Sequence, residues 1–138
     1  MRESRLFFDT NVLLYMLSED DSKADRAEQT LAQGGVVSVQ VLNEFASAAS
    51  RKLKMSYPEI REFLDTVRAV CKVEALTEDL HGEALRLCER YGFSVYDATI
   101  LAAALKAKCR VVYSEDMQDG QVIDGSLVVR NPFADLGL

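Results

Sequence analysis

Apolar residues fall along this chain in two alternating rhythms. Leu6-Phe7-Phe8 is an unbroken run ended by Asp9, and it predicts a strand buried on both faces. Val12, Leu13, Met16 and Leu17 then follow at helical spacing. A second helix is expected from Ser22, as its cap, to Gln33, with Gly34-Gly35 as its stop. Val36 to Val39 reads as the next strand. Leu42, Phe45, Ala46, Ala49 and Leu53 then recur every three or four residues, and Pro58 opens a further helix with Ile60, Phe63, Leu64 and Val67 inward. Val73 to Leu76 is a short strand, and Thr77 to Arg90 a helix stopped by Gly92. Ser94 begins a helix over Val95 to Lys106 that is apolar nearly all round and so deeply buried. Val111-Val112-Tyr113 and Leu127-Val128-Val129 close the series as strands.

Strands alternating with helices imply a mostly parallel sheet covered on both faces. The expected architecture is a three-layer α/β/α sandwich around four to five short strands. The 138 residues hold no repeat or linker, so residues 1–138 are expected to form one domain.

Composition removes several function classes. No apolar run approaches the ~20 residues that cross a bilayer, and the charged start Met1-Arg2-Glu3-Ser4-Arg5 lacks the apolar stretch of a secretory signal, so the cytoplasm is the expected compartment. Cys71, Cys88 and Cys109 are too scattered for a disulfide framework or a Cys-x-x-Cys zinc site. The one histidine, His81, lies on a polar helical stretch and is read as a surface residue, which argues against histidine-based chemistry. Sixteen basic and 22 acidic residues give a net charge of −6, which argues against a large basic surface for nucleic acid.

The acids themselves carry the chemical signal. Ligands of open parallel sheets bind beyond the carboxyl ends of the strands. Asp9 falls where the first strand ends, and Glu115, Asp116 and Asp119 fall just past Val111-Val112-Tyr113. Each has a plainer explanation: Asp9 as a helix cap, Asp116 and Asp119 as turn residues. Asp97 sits three residues after Ser94, which fits a capping box, yet its i+3 and i+4 neighbours Ile100 and Leu101 are apolar. A carboxylate over a buried face needs a partner, and no basic residue lies within a turn of it. Glu44 opens the second turn of a helix whose other early residues are apolar. Two unit charges 4 Å apart repel by about 4 kcal/mol at an effective dielectric of 20. A cluster of such acids without His or Cys favours Mg²⁺ or Mn²⁺ over zinc.

Phe8-Asp9-Thr10-Asn11-Val12-Leu13, Asn43-Glu44-Phe45, Ser94-Val95-Tyr96-Asp97-Ala98 and Ser114-Glu115-Asp116-Met117-Gln118-Asp119-Gly120 together resemble the four motifs of PIN-domain ribonucleases, most closely the VapC-type toxins of bacterial toxin–antitoxin pairs. The resemblance runs through nearly the whole chain, to Asn131-Pro132-Phe133. It implies that Asp9, Glu44, Asp97 and Asp116 hold Mg²⁺ or Mn²⁺ and carry catalysis, with Asn11 and Ser114 in support. The fourth motif departs from the commoner form, in which a second acid follows the first by two residues. Gln118 stands there and Asp119 comes one later, so Glu115, Asp116 and Asp119 compete for the fourth place, with Asp116 favoured and Asp119 auxiliary. Implied too are an RNA substrate, a cognate antitoxin protein and a homodimer. Arg51, Lys52 and Lys54, and separately Lys106, Lys108 and Arg110, are weak candidates to guide the phosphate backbone; a solvated helix end explains the first group as well. Leu14, Tyr15 and Leu17 read as core, with an apolar surface for the antitoxin as the second reading.

Two rivals remain. A non-catalytic PIN-fold module for interaction or RNA binding would be favoured by loss of one of the four acids, and none is lost. A phosphoryl-transfer domain would need an Asp-x-Asp where the chain has Asp9-Thr10-Asn11, or a Lys where it has Ser114.

Overall fold

The computed structural model describes residues 5–136; the charged start at Met1–Ser4 and the last two residues of the expected domain lie outside them. The elements run β1 (Leu6–Phe8), α1 (Thr10–Tyr15), α2 (Asp21–Ala32), β2 (Gly35–Ser38), α3 (Val39–Arg51), α4 (Tyr57–Val70), β3 (Cys71–Glu74), α5 (Glu78–Tyr91), α6 (Val95–Lys106), β4 (Val111–Tyr113), β5 (Val122–Ile123) and β6 (Leu127–Arg130), with a 3₁₀ turn at Ala134–Leu136. The strands form one sheet in the order β3-β2-β1-β4-β6-β5, parallel except for β5.

Successive strand residues point to opposite faces, and Phe7 with Phe8, and Val36 with Val37, are all buried. The sheet is therefore covered on both sides. Helix contacts sort α1 to α4 into one layer and α5 with α6 into the other, meeting where α3 touches α6. That division follows from right-handed crossovers: β1 to β2 to β3 steps one way along the sheet, and β3 to β4 returns past β1. The core is built from Phe7, Phe8, Phe45, Leu13, Leu101 and Ile123, with Phe45 stacked on Phe63 at 4.6 Å. Helix α6 is buried at every residue from Ala98 to Ala104, as its apolar sequence requires.

The structure departs from the sequence reading at four places. The sheet has six strands, because the two-residue β5 pairs antiparallel with β6; so short a segment after a polar loop leaves no period to detect. Val39 begins α3 rather than ending β2, since buried Ser38 caps the helix by accepting from Val41 N at 3.3 Å. Asp20, not Ser22, caps α2, taking the N–H groups of Ser22 and Lys23. Strand β3 starts at Cys71 because α4 passes straight into it.

β2 lies close enough to β1 that a Cβ on Gly35 would collide with the Leu6 carbonyl oxygen and stand 2.8 Å from Phe8 Cε2. Gly35→Ala is expected to destabilise the protein by roughly 1–3 kcal/mol, the usual cost of overpacking a core. Urea unfolding measures this; an unchanged midpoint would show that β1 and β2 can separate freely.

Candidate active site

The sheet reverses its winding between β1 and β4, and the carboxyl ends of these two strands are where a ligand of an open α/β sheet binds. Register does the rest. Phe8 pairs with Tyr113, so the next residues, Asp9 and Ser114, emerge side by side. Asp9 caps α1, accepting from Thr10 N through Oδ1 at 2.7 Å, while Ser114 Oγ donates to its Oδ2 at 2.7 Å. One carboxylate thus serves as helix cap and stands at the candidate site. Ser114 Oγ also accepts from Asp116 N, and Asn11 bridges the same loop, donating from Nδ2 to Asp116 Oδ2 at 3.2 Å and accepting from Glu115 N through Oδ1.

Glu44 arrives from α3. Its Oε1 accepts from Thr10 Oγ1 at 2.6 Å and its Oε2 from Gln40 Nε2 at 2.9 Å. Gln40 Nε2 also donates to the Tyr96 carbonyl in the first turn of α6, at 3.0 Å, and so ties Glu44 to the segment that carries Asp97. Ser94 Oγ caps α6 by accepting from Asp97 N, but among the described residues the Asp97 carboxylate has no hydrogen bond of its own. The capping box expected there is only half formed.

Asp116 and Glu44 each act on both Asp9 and Asp97. Burial pushes the Asp9 carboxyl up to about 6, against the bonds from Ser114 and Thr10, with the charges of Asp116 and Glu44 adding to the rise. Asp97, half-buried, is raised for the same reason, burial first and then Asp116 and Glu44. None of the four acids meets a cation within salt-bridge distance among the described residues.

Such a donor set fits a hard divalent cation: carboxylate oxygens from four segments, hydroxyl and amide groups around them, and no thiol or imidazole. Among the described residues no three of the carboxylates stand in the spacing of a closed ion cage; each of Asp9, Glu44 and Asp116 is tied instead to neutral donors.

The fold also sorts the doubtful residues. Tyr15 donates to Glu115 Oε1 at 2.6 Å, and that bond, with burial, pushes the phenol up to about 12. Asp119 Oδ1 accepts from Asn131 N, fastening the loop to the end of β6. Of the three fourth-motif acids, Asp116 is the one bonded into the Asp9 web. Arg51 and Lys52 are exposed at the far end of α3, about 10 Å along the axis from Glu44, and Lys54 follows them. Lys106 ends α6, about 14 Å from the turn of Asp97, with Lys108 and Arg110 beyond it. Neither basic group is brought to the acids. Leu14, Tyr15 and Leu17 do not all enter the core: with Ala48, Lys52 and Leu53 they line a cleft of about 250 Å³. His81 is exposed, and burial pushes the Cys71 and Cys109 thiols up to about 11 and about 12. Two contributors escaped the sequence reading, Thr10 and Gln40. Gln40 lies four residues before Glu44, the spacing that places two side chains on one helix face.

A family model described as PIN domain matches residues 6–118. No curated protein matches the chain. Among solved structures it is similar to a toxin–antitoxin complex from Klebsiella pneumoniae, with 22% identity over 94% of this chain and 98% of that one at a TM-score of 0.70. It is also similar to VapC20 of Mycobacterium tuberculosis, titled a sarcin–ricin loop cleaving toxin, with 22% identity over 80% and 89% at 0.66. VapBC2 of Rickettsia felis, bound to a promoter DNA fragment, matches with 16% identity over 91% and 97% at 0.63.

The raised Asp9 fixes the sign of a pH effect in the metal-free protein. Folded Asp9 holds its proton up to about pH 6 and the unfolded chain only to about 4, so its stabilising contribution is complete below pH 4 and is lost as pH rises through 6. The loss is about 3 kcal/mol at about 1.4 kcal/mol per unit, and Asp97 adds to it with the same sign. Asp9→Asn is expected to flatten this slope and to gain stability relative to wild type above pH 6, read by urea unfolding in chelator from pH 4 to 8. Parallel profiles would refute the assignment.

Proposed function

The chain belongs to the PIN domain family, and from that premise we propose that it is an endoribonuclease, hydrolysing RNA phosphodiester bonds with Mg²⁺ or Mn²⁺ and serving as the toxin of a toxin–antitoxin pair. In this reading residues 1–138 form one nuclease domain that acts in the cytoplasm as a homodimer. The observation that carries it is Asp97: a half-buried carboxylate with no donor of its own among the described residues, in the field of Asp116 and Glu44 and with no cation to neutralise it.

Asp9, Glu44, Asp97 and Asp116 would hold the ion. A divalent cation there supplies Lewis acidity toward the phosphoryl oxygens and draws the pKa of water toward neutrality. The remaining work falls to the chain's own groups. Ser114 and Thr10 N fix the two oxygens of Asp9, and Thr10 Oγ1 with Gln40 fixes those of Glu44. Asn11 steadies Asp116. Asp116 is exposed, which suits it to accept the proton of an attacking water, whereas buried Asp9 is a holder. RNA is a polyanion and the site is acidic, so the ion precedes the substrate or arrives with it. The similar toxin–antitoxin complexes support an antitoxin partner, and the apolar cleft of Leu14, Leu17 and Leu53 is the surface this reading assigns to it.

Two measurements test the proposal. Mn²⁺ at a hundredfold excess over its Kd is expected to stabilise the fold by about 2.7 kcal/mol, several degrees in Tm; no shift at millimolar ion would remove the metal site. Asp97→Asn is expected to lower metal-dependent RNA cleavage by at least about a hundredfold without loss of fold by circular dichroism, and expression of the wild type, but not of Asp97→Asn, is expected to arrest growth. Undiminished cleavage would reduce Asp97 to a helix-cap residue, and a wild type that binds RNA without cutting it would favour the non-catalytic module.

A further inference from the structure

The first turn of α6 presents an aromatic ring that packing does not explain. Tyr96 is 68% exposed, beside Val95 at 37%, on a helix otherwise buried from Ala98 to Ala104. Among the described residues its ring stacks on no other aromatic, lies under no cation and contributes no side-chain hydrogen bond, and it is absent from the core and its fringe. Yet its backbone is fixed. Gln40 Nε2 holds the Tyr96 carbonyl at 3.0 Å while bonding Glu44 Oε2, and the next residue is Asp97. The bridging amide thus fixes the backbone of an exposed aromatic residue that precedes Asp97 and is tied to Glu44.

We propose that Tyr96 is a stacking platform for an unpaired nucleobase of the RNA, a positioning contact carried by the residue before Asp97. This rests on the nuclease reading above. Bases inside a duplex are already stacked on their neighbours, whereas splayed bases lay their faces on aromatic side chains. Stacking also suits this surface in particular. The net charge is −6, and the basic residues of α3 and of the α6 end lie about 10 Å and 14 Å along their helices from the acids, so neither of these two groups grips the reacting phosphate. A π face binds a base without any charge on the protein.

The experiment compares wild type, Tyr96→Ala and Tyr96→Phe on a mixed-sequence single-stranded oligoribonucleotide with Mn²⁺, and on the same strand annealed to its complement. Wild type is expected to cut the single strand in preference to the duplex. Tyr96→Ala is expected to lose roughly ten- to a hundredfold in kcat/KM on the single strand, mainly through KM, the usual loss of one stacked base. Tyr96→Phe, which keeps the ring, should recover it, and the Mn²⁺-induced Tm shift should be the same in all three. Equal cleavage by Tyr96→Ala and wild type overturns the inference and leaves the nuclease reading standing. So does a Phe variant as weak as Ala, or a loss accompanied by a change in sedimenting mass, which would assign the ring to a protein contact. Wild type that cuts neither RNA while failing to bind Mn²⁺ sinks the nuclease reading itself.

Discussion

The charges of Asp116 and Glu44 act on both Asp9 and Asp97, and that repulsion is the constraint around which the candidate site is arranged. Left to themselves such groups would protonate or turn away to solvent. Here Asp9, Glu44 and Asp116 are restrained by neutral donors, a serine, a threonine, an asparagine and a glutamine, while among the described residues the Asp97 carboxylate has none. Neutral donors orient a carboxylate without cancelling its charge. An internal lysine or arginine would have cancelled that charge, and none pairs with these acids among the described residues.

The sheet makes this convergence possible at little local cost. Its reversal between β1 and β4 leaves two adjacent strand ends without a crossover passing above them, and Asp9 and Ser114 occupy that gap in register. Helices α3 and α6 come from opposite layers and meet over the same edge, which brings Glu44 and Asp97 in from the two sides. The apolar sequence of α6 keeps its long axis sunk in the core, so only its first turn reaches the site. The packing of a helix with almost no polar face therefore positions one charged residue.

The same geometry gives the loop after β4 its division of labour. Three acids lie within five residues, and each has a different partner: Glu115 takes the Tyr15 hydroxyl, Asp116 the Asn11 amide and Asp119 the backbone of Asn131. Two anchor the loop to α1 and to the end of β6. Anchoring at both flanks holds the middle acid at the rim.

Much of this was legible in the order of residues. Periodicity separated strands from helices, their alternation implied a parallel sheet covered on both faces, and acids at strand ends and helix starts marked one rim. These inferences work because period, capping and strand-end position are local properties of the chain. Which of Glu115, Asp116 and Asp119 is bonded to Asn11 and Ser114, that Thr10 and Gln40 hold Glu44, that the basic residues fall at the far ends of their helices, and that Tyr96 is left exposed before Asp97 were decided only in three dimensions. Each depends on the register of β1 against β4 or on the approach of α3 to α6, and no window of neighbouring residues records a distance between segments a hundred positions apart.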